Sequence, residues 1–197
     1  MVKLFLWWCI AALALTGNKL YSQEPEFKRS SIKIGAGVGM NEGENEIGNG
    51  IVYSVGWQKS FGKKNKLRIN PNVLIGGFLP IGITDTRDQF YRITSLSLNV
   101  HYDLLRYKAV SIVVSNGGFF NYSRGLLGTG GWFDVNYNGS EYFAAAYFGY
   151  SGAIGLRIAP AQRRFAYELR PINIQIGNNR FILSCLMLGI DFKLKAK

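Results

Sequence analysis

Hydrophobic residues recur at every second position along most of this chain. "SSIKIGAGVG", from residue 30, sets Ile32, Ile34, Ala36 and Val38 against Lys33, Gly35, Gly37 and Gly39. Alternate side chains of a strand point to opposite faces, so this spacing predicts a strand with one oily and one polar or empty face. "IVYSVGWQKS" repeats the pattern, with Ile51, Tyr53, Val55 and Trp57 opposite Ser54, Gly56 and Gln58. A third strand is predicted over about 66–79 (Leu67, Ile69, Val73, Ile75 against Arg68, Asn70, Asn72) and a fourth over 92–102 (Leu96, Leu98, Val100, Tyr102 against Ser95, Ser97, Asn99, His101). The fifth, about 107–120, carries Val110, Ile112 and Val114 against Ser111 and Ser115; the sixth, 142–158, carries Phe148, Tyr150, Ile154, Leu156 and Ile158 against Ser151, Gly155 and Arg157. In the seventh, 165–176, Phe165, Tyr167 and Leu169 share one parity and Ile172, Ile174 and Ile176 the other, which predicts a bulge at Arg170–Pro171. The eighth alternates from Leu188 onward, with Ile190, Phe192 and Leu194 separated by Gly189, Asp191 and Lys193.

The connections sort by length. "FGKKNK", "DLLRY" and "APAQRR" are short, while strands one to two, three to four and five to six are joined by longer stretches, the last from Asn121 to Glu141; the final "GNNR" is short again. Eight antiparallel up-and-down strands with short turns at one end and long loops at the other describe a transmembrane β-barrel of the bacterial outer membrane. A soluble eight-stranded barrel alternates equally well, so the composition of the polar face has to decide. That face is mostly Gly, Ser and Asn, with a thin mixed set of charges (Lys33, Arg68, Arg157, Glu168, Arg170 and Asp191). Eight strands leave an interior only wide enough for side chains, so small residues and a few paired charges suit a lumen, and Arg68, Arg157, Glu168, Arg170 and Asp191 are the expected polar network. The oily face carries almost no charge. Aromatic residues gather near both strand ends: Trp57, Phe61, Tyr102, Tyr107, Phe165 and Phe192 at the short-turn end, and Phe78, Phe90, Tyr91, Phe119, Phe120, Tyr142 and Phe181 at the long-loop end. These are expected to form two interfacial girdles.

The N-terminus changes the picture of where the chain works. Lys3, the apolar run Leu4–Leu15 and a polar segment ending at Ser22 have the form of a secretory signal peptide, and the run is too short for a helical membrane span. The organisation expected is a signal peptide over 1–22, a short segment 23–29 and the barrel over 30–197, exported through the Sec pathway. Removal of the signal takes Cys9 away and leaves Cys185 without a partner, so no disulfide framework is expected. It also removes Lys3 and Lys19, taking the formal charge from +11 to +9. For an exported protein this balance points to anionic lipid or polysaccharide before nucleic acid. Bases cluster at the short-turn end (Lys59, Lys63, Lys64, Lys66, Arg106, Lys108, Arg163, Arg164, Lys193, Lys195, Lys197) and acids in the long loops (Glu42, Glu44, Glu46, Asp85, Asp88, Asp134, Glu141). The basic rim is expected to meet anionic headgroups, and the acidic loops to meet lipopolysaccharide through divalent cations.

At this point the chain resembles the small outer-membrane barrels of Bacteroidetes, the OmpX/OmpA-like and PorT-like superfamily, on the leader ending in "YSQ", the opening strand "IKIGAGVG" and the closing strand "LGIDFKL". The resemblance implies that Leu188, Ile190, Phe192 and Leu194 form the terminal signal read by the barrel-assembly machinery, although "KAK" follows where an aromatic end would stand.

Chemistry-bearing candidates are few. His101, the only histidine, has Ser97 and Asp103 nearby, the residue types of a hydrolytic triad. Its parity puts it in the lumen near the short-turn end, so no enzyme is expected. "GAGVG" lacks the dinucleotide spacing and no helix follows. The triplet Glu42, Glu44, Glu46 lacks the EF-hand spacing and is expected to be a solvated acidic loop. No metal set and no cofactor are expected. Trp132, Phe133 and Tyr137, among glycines in the longest loop, are the candidate ligand-binding residues. The expectation is a non-enzymatic barrel with a filled lumen and a structural or surface-contact role; a small pore for hydrophobic or small solutes, or a lipid-modifying barrel, is the alternative.

Overall fold

A computed structural model describes residues 30–44, 46–62, 65–80, 90–128, 140–160 and 163–194. Eight strands follow one another: β1 (Ser30–Glu42), β2 (Ile47–Phe61), β3 (Leu67–Pro80), β4 (Phe90–Tyr107), β5 (Val110–Gly128), β6 (Ser140–Ile158), β7 (Phe165–Gly177) and β8 (Ile182–Lys193). Each pairs antiparallel with the next, and β8 closes the ring on β1 from Ser31 opposite Lys193 to Glu42 opposite Ile182. Closure of the ring pairs both sides of every strand over the barrel wall, which removes there the main hazard of an isolated sheet. Residues 1–22, expected to be a signal peptide, fall outside the described residues, as does the segment up to Arg29.

The strands run further than their alternation predicts. β1 reaches Glu42 and β2 begins at Ile47, so "NEGENEIGNG" is mostly strand closed by a tight turn, in which Gly43 N–H donates to Glu46 O at 2.6 Å. The expected long loop between the first two strands is therefore absent, because Gly and Asn hid the strand ends from a reading that depends on apolar residues. β5 and β6 span 19 residues each, well beyond the roughly 9–11 needed to cross a bilayer. β6 continues from Phe148 to Ser140 above Gly149, which faces the last β7 partner, Gly177. The β5–β6 hairpin thus stands clear of the β7–β8 wall.

The parity slip in β7 is a bulge. Pairing with β8 breaks between Arg170 and Asn173, and pairing with β6 shifts between Ile154 and Leu156. Leu169 faces outward before the shift and Ile172 after it, so both apolar sets stay on one face. Asn179 and Arg180, both with positive φ, form the β7–β8 turn, and Phe181 N–H donates to Asn178 O at 3.0 Å. Positive φ at both central residues is the turn whose twist matches a hairpin.

The apolar face points outward. Tyr53, Leu79, Phe148 and Leu188 each expose about 60% or more of their surface. A water-soluble fold does not leave an apolar girdle this extensive uncovered. The barrel is built for hydrocarbon on its outside.

Candidate functional site

The inward residues form two storeys. In the lower one, toward the short turns, alternation delivers a charged cluster from six strands. Lys33 Nζ lies 2.7 Å from Glu168 Oε2, Arg68 Nη2 2.7 Å from Asp103 Oδ1, and Arg157 Nη2 2.7 Å from Asp191 Oδ2. Arg170 Nε donates to the other Glu168 oxygen. Gln58 Nε2 donates to Asp191 Oδ2 and to Ser31 Oγ, both at 3.3 Å. All these side chains are buried. A buried charge is tolerated only when paired and hydrogen-bonded, and each named partner sits on a different strand except Glu168 and Arg170, which share β7. The network therefore ties the wall together across its interior. Asp103 belongs to it although the alternation reading omitted it; two positions on from His101, it shares that residue's inward parity.

Polar side chains continue upward from there. Ser151 Oγ donates to Asn99 Oδ1 at 2.6 Å, Ser95 Oγ to Gln175 Oε1 at 3.3 Å, and Gln175 Nε2 to Ser97 Oγ at 3.4 Å. The residues of the would-be triad are each engaged elsewhere. Ser97 accepts from Gln175, His101 Nε2 faces Asn70 Oδ1 at 3.4 Å, and Asp103 is held by Arg68.

The upper storey corrects two expectations at once. Phe78, Tyr91, Phe119 and Phe181 do not stand in an outer girdle; they are buried inside, with Val52, Leu74, Ile93, Tyr147, Leu183, Cys185 and Met187. The upper lumen is an aromatic plug where a Gly, Ser and Asn lining was expected. Tyr147 stacks on Phe181 at 4.6 Å between centroids, Phe119 lies 5.5 Å from Phe181, and Phe78 stacks on Tyr91 at 5.5 Å. The reason is the two-residue period itself. In "FY" at 90–91 and "FF" at 119–120 two adjacent aromatics cannot share a face, so Phe90 and Phe120 go to the membrane side and Tyr91 and Phe119 go in. Trp57, Phe61, Tyr102, Tyr107, Phe165 and Phe192 at the other end do face outward, as does Tyr142 above. Gly39 is small because β8 crowds it: a Cβ there would lie 2.7 Å from Cys185 Sγ and 2.9 Å from Ser184 O. Cys185 is a free, buried thiol.

Above the plug lies a polar cap. Glu46 is buried rather than solvated, unlike exposed Glu42 and Glu44. Its Oε1 accepts from Asn41 Nδ2 at 2.8 Å and from Ser123 Oγ at 2.9 Å. Asn121 Nδ2 reaches Ser123 Oγ at 3.3 Å. β5 stands four strands from β1 in the ring, so the β1–β2 turn throws this carboxylate across the mouth to the opposite wall. Burial pushes the Glu46 carboxyl above the ordinary carboxylate range, and the two hydrogen bonds pull it partly back.

Outside, the oily face is not free of charge. Arg92 and Arg124 are direct cross-strand partners, both exposed on the outer surface near the long-loop end. Arg92 lies over the Phe90 ring at 5.6 Å. With Arg180 also at that end and Glu46 turned inward, the expected separation of charge along the axis is weakened. At the other end Lys193 Nζ donates to Arg163 O at 3.0 Å, within the β6–β7 turn. Leu188, Phe192 and Leu194 face outward near the closing seam, with Ile190 half-buried, and Phe192 packs edge-on to Phe165 at 5.2 Å. Trp132, Phe133 and Tyr137 lie outside the described residues, as do Asp85, Asp88, Asp134, Lys63, Lys64, Lys195 and Lys197.

Such an outward-apolar, inward-filled ring of eight strands defines a class: the small outer-membrane β-barrel fold. The solved structures agree. The chain is similar to Neisserial surface protein A (NspA), with a TM-score of 0.61 and 14% identity over 84% of this chain and 97% of that one. It is also similar to Ail, the attachment invasion locus protein of Yersinia pestis, with a TM-score of 0.51 and 13% identity over 83% of this chain and 96% of that one. No protein-family model and no curated protein sequence matches the chain.

Proposed function

We propose that this chain is a non-enzymatic outer-membrane protein that works through its outer surface and loops, with a lumen that does not conduct. The observation that carries this reading is the filling of both storeys, by ion pairs below and by stacked rings above. Eight strands already leave an interior only wide enough for side chains, and here those side chains are locked to one another. Export through the Sec pathway, with residues 1–22 as signal, delivers the chain, and the assembly machinery reads Leu188, Ile190, Phe192 and Leu194.

The partners at the membrane are lipids of the two leaflets. On the outer side, Arg92 and Arg124 support contact with the phosphates of lipopolysaccharide. Two like charges directly opposite on one sheet face repel, and a phosphate bridging both guanidiniums relieves that repulsion through charge-assisted hydrogen bonds. At the short-turn end Lys59, Arg106, Lys108, Arg163 and Arg164 face anionic headgroups of the inner leaflet. Trp132, Phe133 and Tyr137 of the longest loop contact the external ligand.

Planar-bilayer recording of the refolded protein tests the reading. A silent membrane is the expected result, and stepwise openings of a size that passes hydrated solutes would refute it in favour of a pore.

A further inference from the structure

We infer that the mouth at the long-loop end is a binding site for a hard divalent cation such as calcium, built around Glu46 with oxygen donors from Asn41, Asn121 and Tyr147. The argument begins with what each oxygen lacks. Glu46 Oε2, Asn41 Oδ1, Asn121 Oδ1 and the Tyr147 hydroxyl are all buried and have no hydrogen-bond partner. Buried polar atoms are seldom left that way, and each one calls for an explanation. Here three of them gather around the carboxylate whose own Oε2 is the fourth, and all four are oxygens.

Their proximity follows from the contacts. Asn41 and Ser123 both hold Glu46 Oε1, and Asn121 joins the group through Ser123. Asn121 and Tyr147 are direct cross-strand partners on β5 and β6. A Cβ on Gly43 would meet both Tyr147 Oη, at 3.0 Å, and Glu46 Oε1, at 3.3 Å, so the turn brings the phenol and the carboxylate to the same spot. The groups bonded to the carboxylate are neutral donors, which do not balance its charge. Oxygen-only donor sets of carboxylate, amide carbonyl and hydroxyl suit calcium-like ions, and a set with few charges suits the weak, millimolar affinities of extracellular modules. Glu44, exposed in the same turn, supplies a second negative charge at the entrance. The acidic triplet thus contributes one ligand and one attracting charge, and its spacing resembles no EF-hand because the remaining donors come from β1, β5 and β6. A bound ion would pin the β1–β2 turn to the opposite wall and close the mouth over the aromatic plug.

Terbium luminescence of the full refolded barrel in detergent tests this, since Tyr91 and Tyr147 lie beside the site and can sensitise the ion. The expected result is saturable emission on tyrosine excitation, displaced by calcium, lowered at least tenfold in Glu46→Gln and unchanged in Glu42→Gln. Asn121→Asp, which adds a charge without changing shape, should raise the affinity at least tenfold. Emission that is equal in wild type and Glu46→Gln, or that calcium fails to displace, would overturn the proposal and leave a proton on Glu46 as the group that satisfies these oxygens. Heat-modified gel mobility of each variant verifies that the barrel is closed before the titration is read.

Discussion

Replacing Glu168 with Gln is the sharpest test of the lower storey. Glu168 is a carboxylate there that two cations share, with Lys33 Nζ at 2.7 Å from one oxygen and Arg170 Nε on the other. Four buried cations (Lys33, Arg68, Arg157, Arg170) face three buried carboxylates (Asp103, Glu168, Asp191). The substitution keeps the shape and removes one negative charge, which leaves two ammonium and guanidinium groups without a counter-charge. Breaking a buried pair by removing one partner costs about 3–5 kcal/mol. At about 1.4 kcal/mol per decade, that is a fall of roughly 10² to 10³ or more in the folding equilibrium constant. Urea titration of the barrel in lipid vesicles, followed by tryptophan fluorescence and by gel mobility with and without boiling, measures it. The triple replacement Lys33→Met, Glu168→Leu and Arg170→Met, which removes the carboxylate together with both cations it holds, should recover a large part of the loss, because apolar groups of similar volume are tolerated where a lone charge is not. A loss below about 1 kcal/mol in Glu168→Gln would refute the reasoning, because it would mean that water reaches the cluster and screens it as at a surface.

Phe181→Ala should cost about 3–5 kcal/mol by opening a cavity between Tyr147 and Phe119, read from the same urea transition. Gly39→Val should weaken closure at the β1–β8 seam, since even a Cβ meets Cys185 Sγ at 2.7 Å; slower folding into vesicles on the boiled-against-unboiled gel is the readout. With divalent ions chelated, the raised Glu46 carboxyl makes the folded state hold its proton more tightly than the unfolded chain does. Its contribution is then fully present below the ordinary value of 4.5 and is lost as pH rises through the raised one. The difference in melting temperature between wild type and Glu46→Gln across that window checks the sign.

The sequence by itself determined the ring and its polarity. A two-residue period sustained over eight segments can be satisfied only by strands, and an oily face almost without charge, opposite one that is small and polar over its lower half, turns that oily face toward hydrocarbon. Even the bulge at Arg170–Pro171 was legible, because a parity slip must be absorbed somewhere. Most of the luminal charges could be assigned for the same reason, since parity is a local property. Tertiary structure alone decided what meets what inside. Adjacent aromatics such as Phe119 and Phe120 read as one interfacial cluster, yet the wall separates them, and which of the two enters depends on register around the closed ring. Glu46 stood in an acidic stretch that had every mark of a solvated loop. It is buried because Ser123, 77 residues away, stands on the opposite wall at the same height. Periodicity reports the face of each residue, whereas the partner across a lumen is fixed by strand order and stagger, which exist only once the barrel is closed.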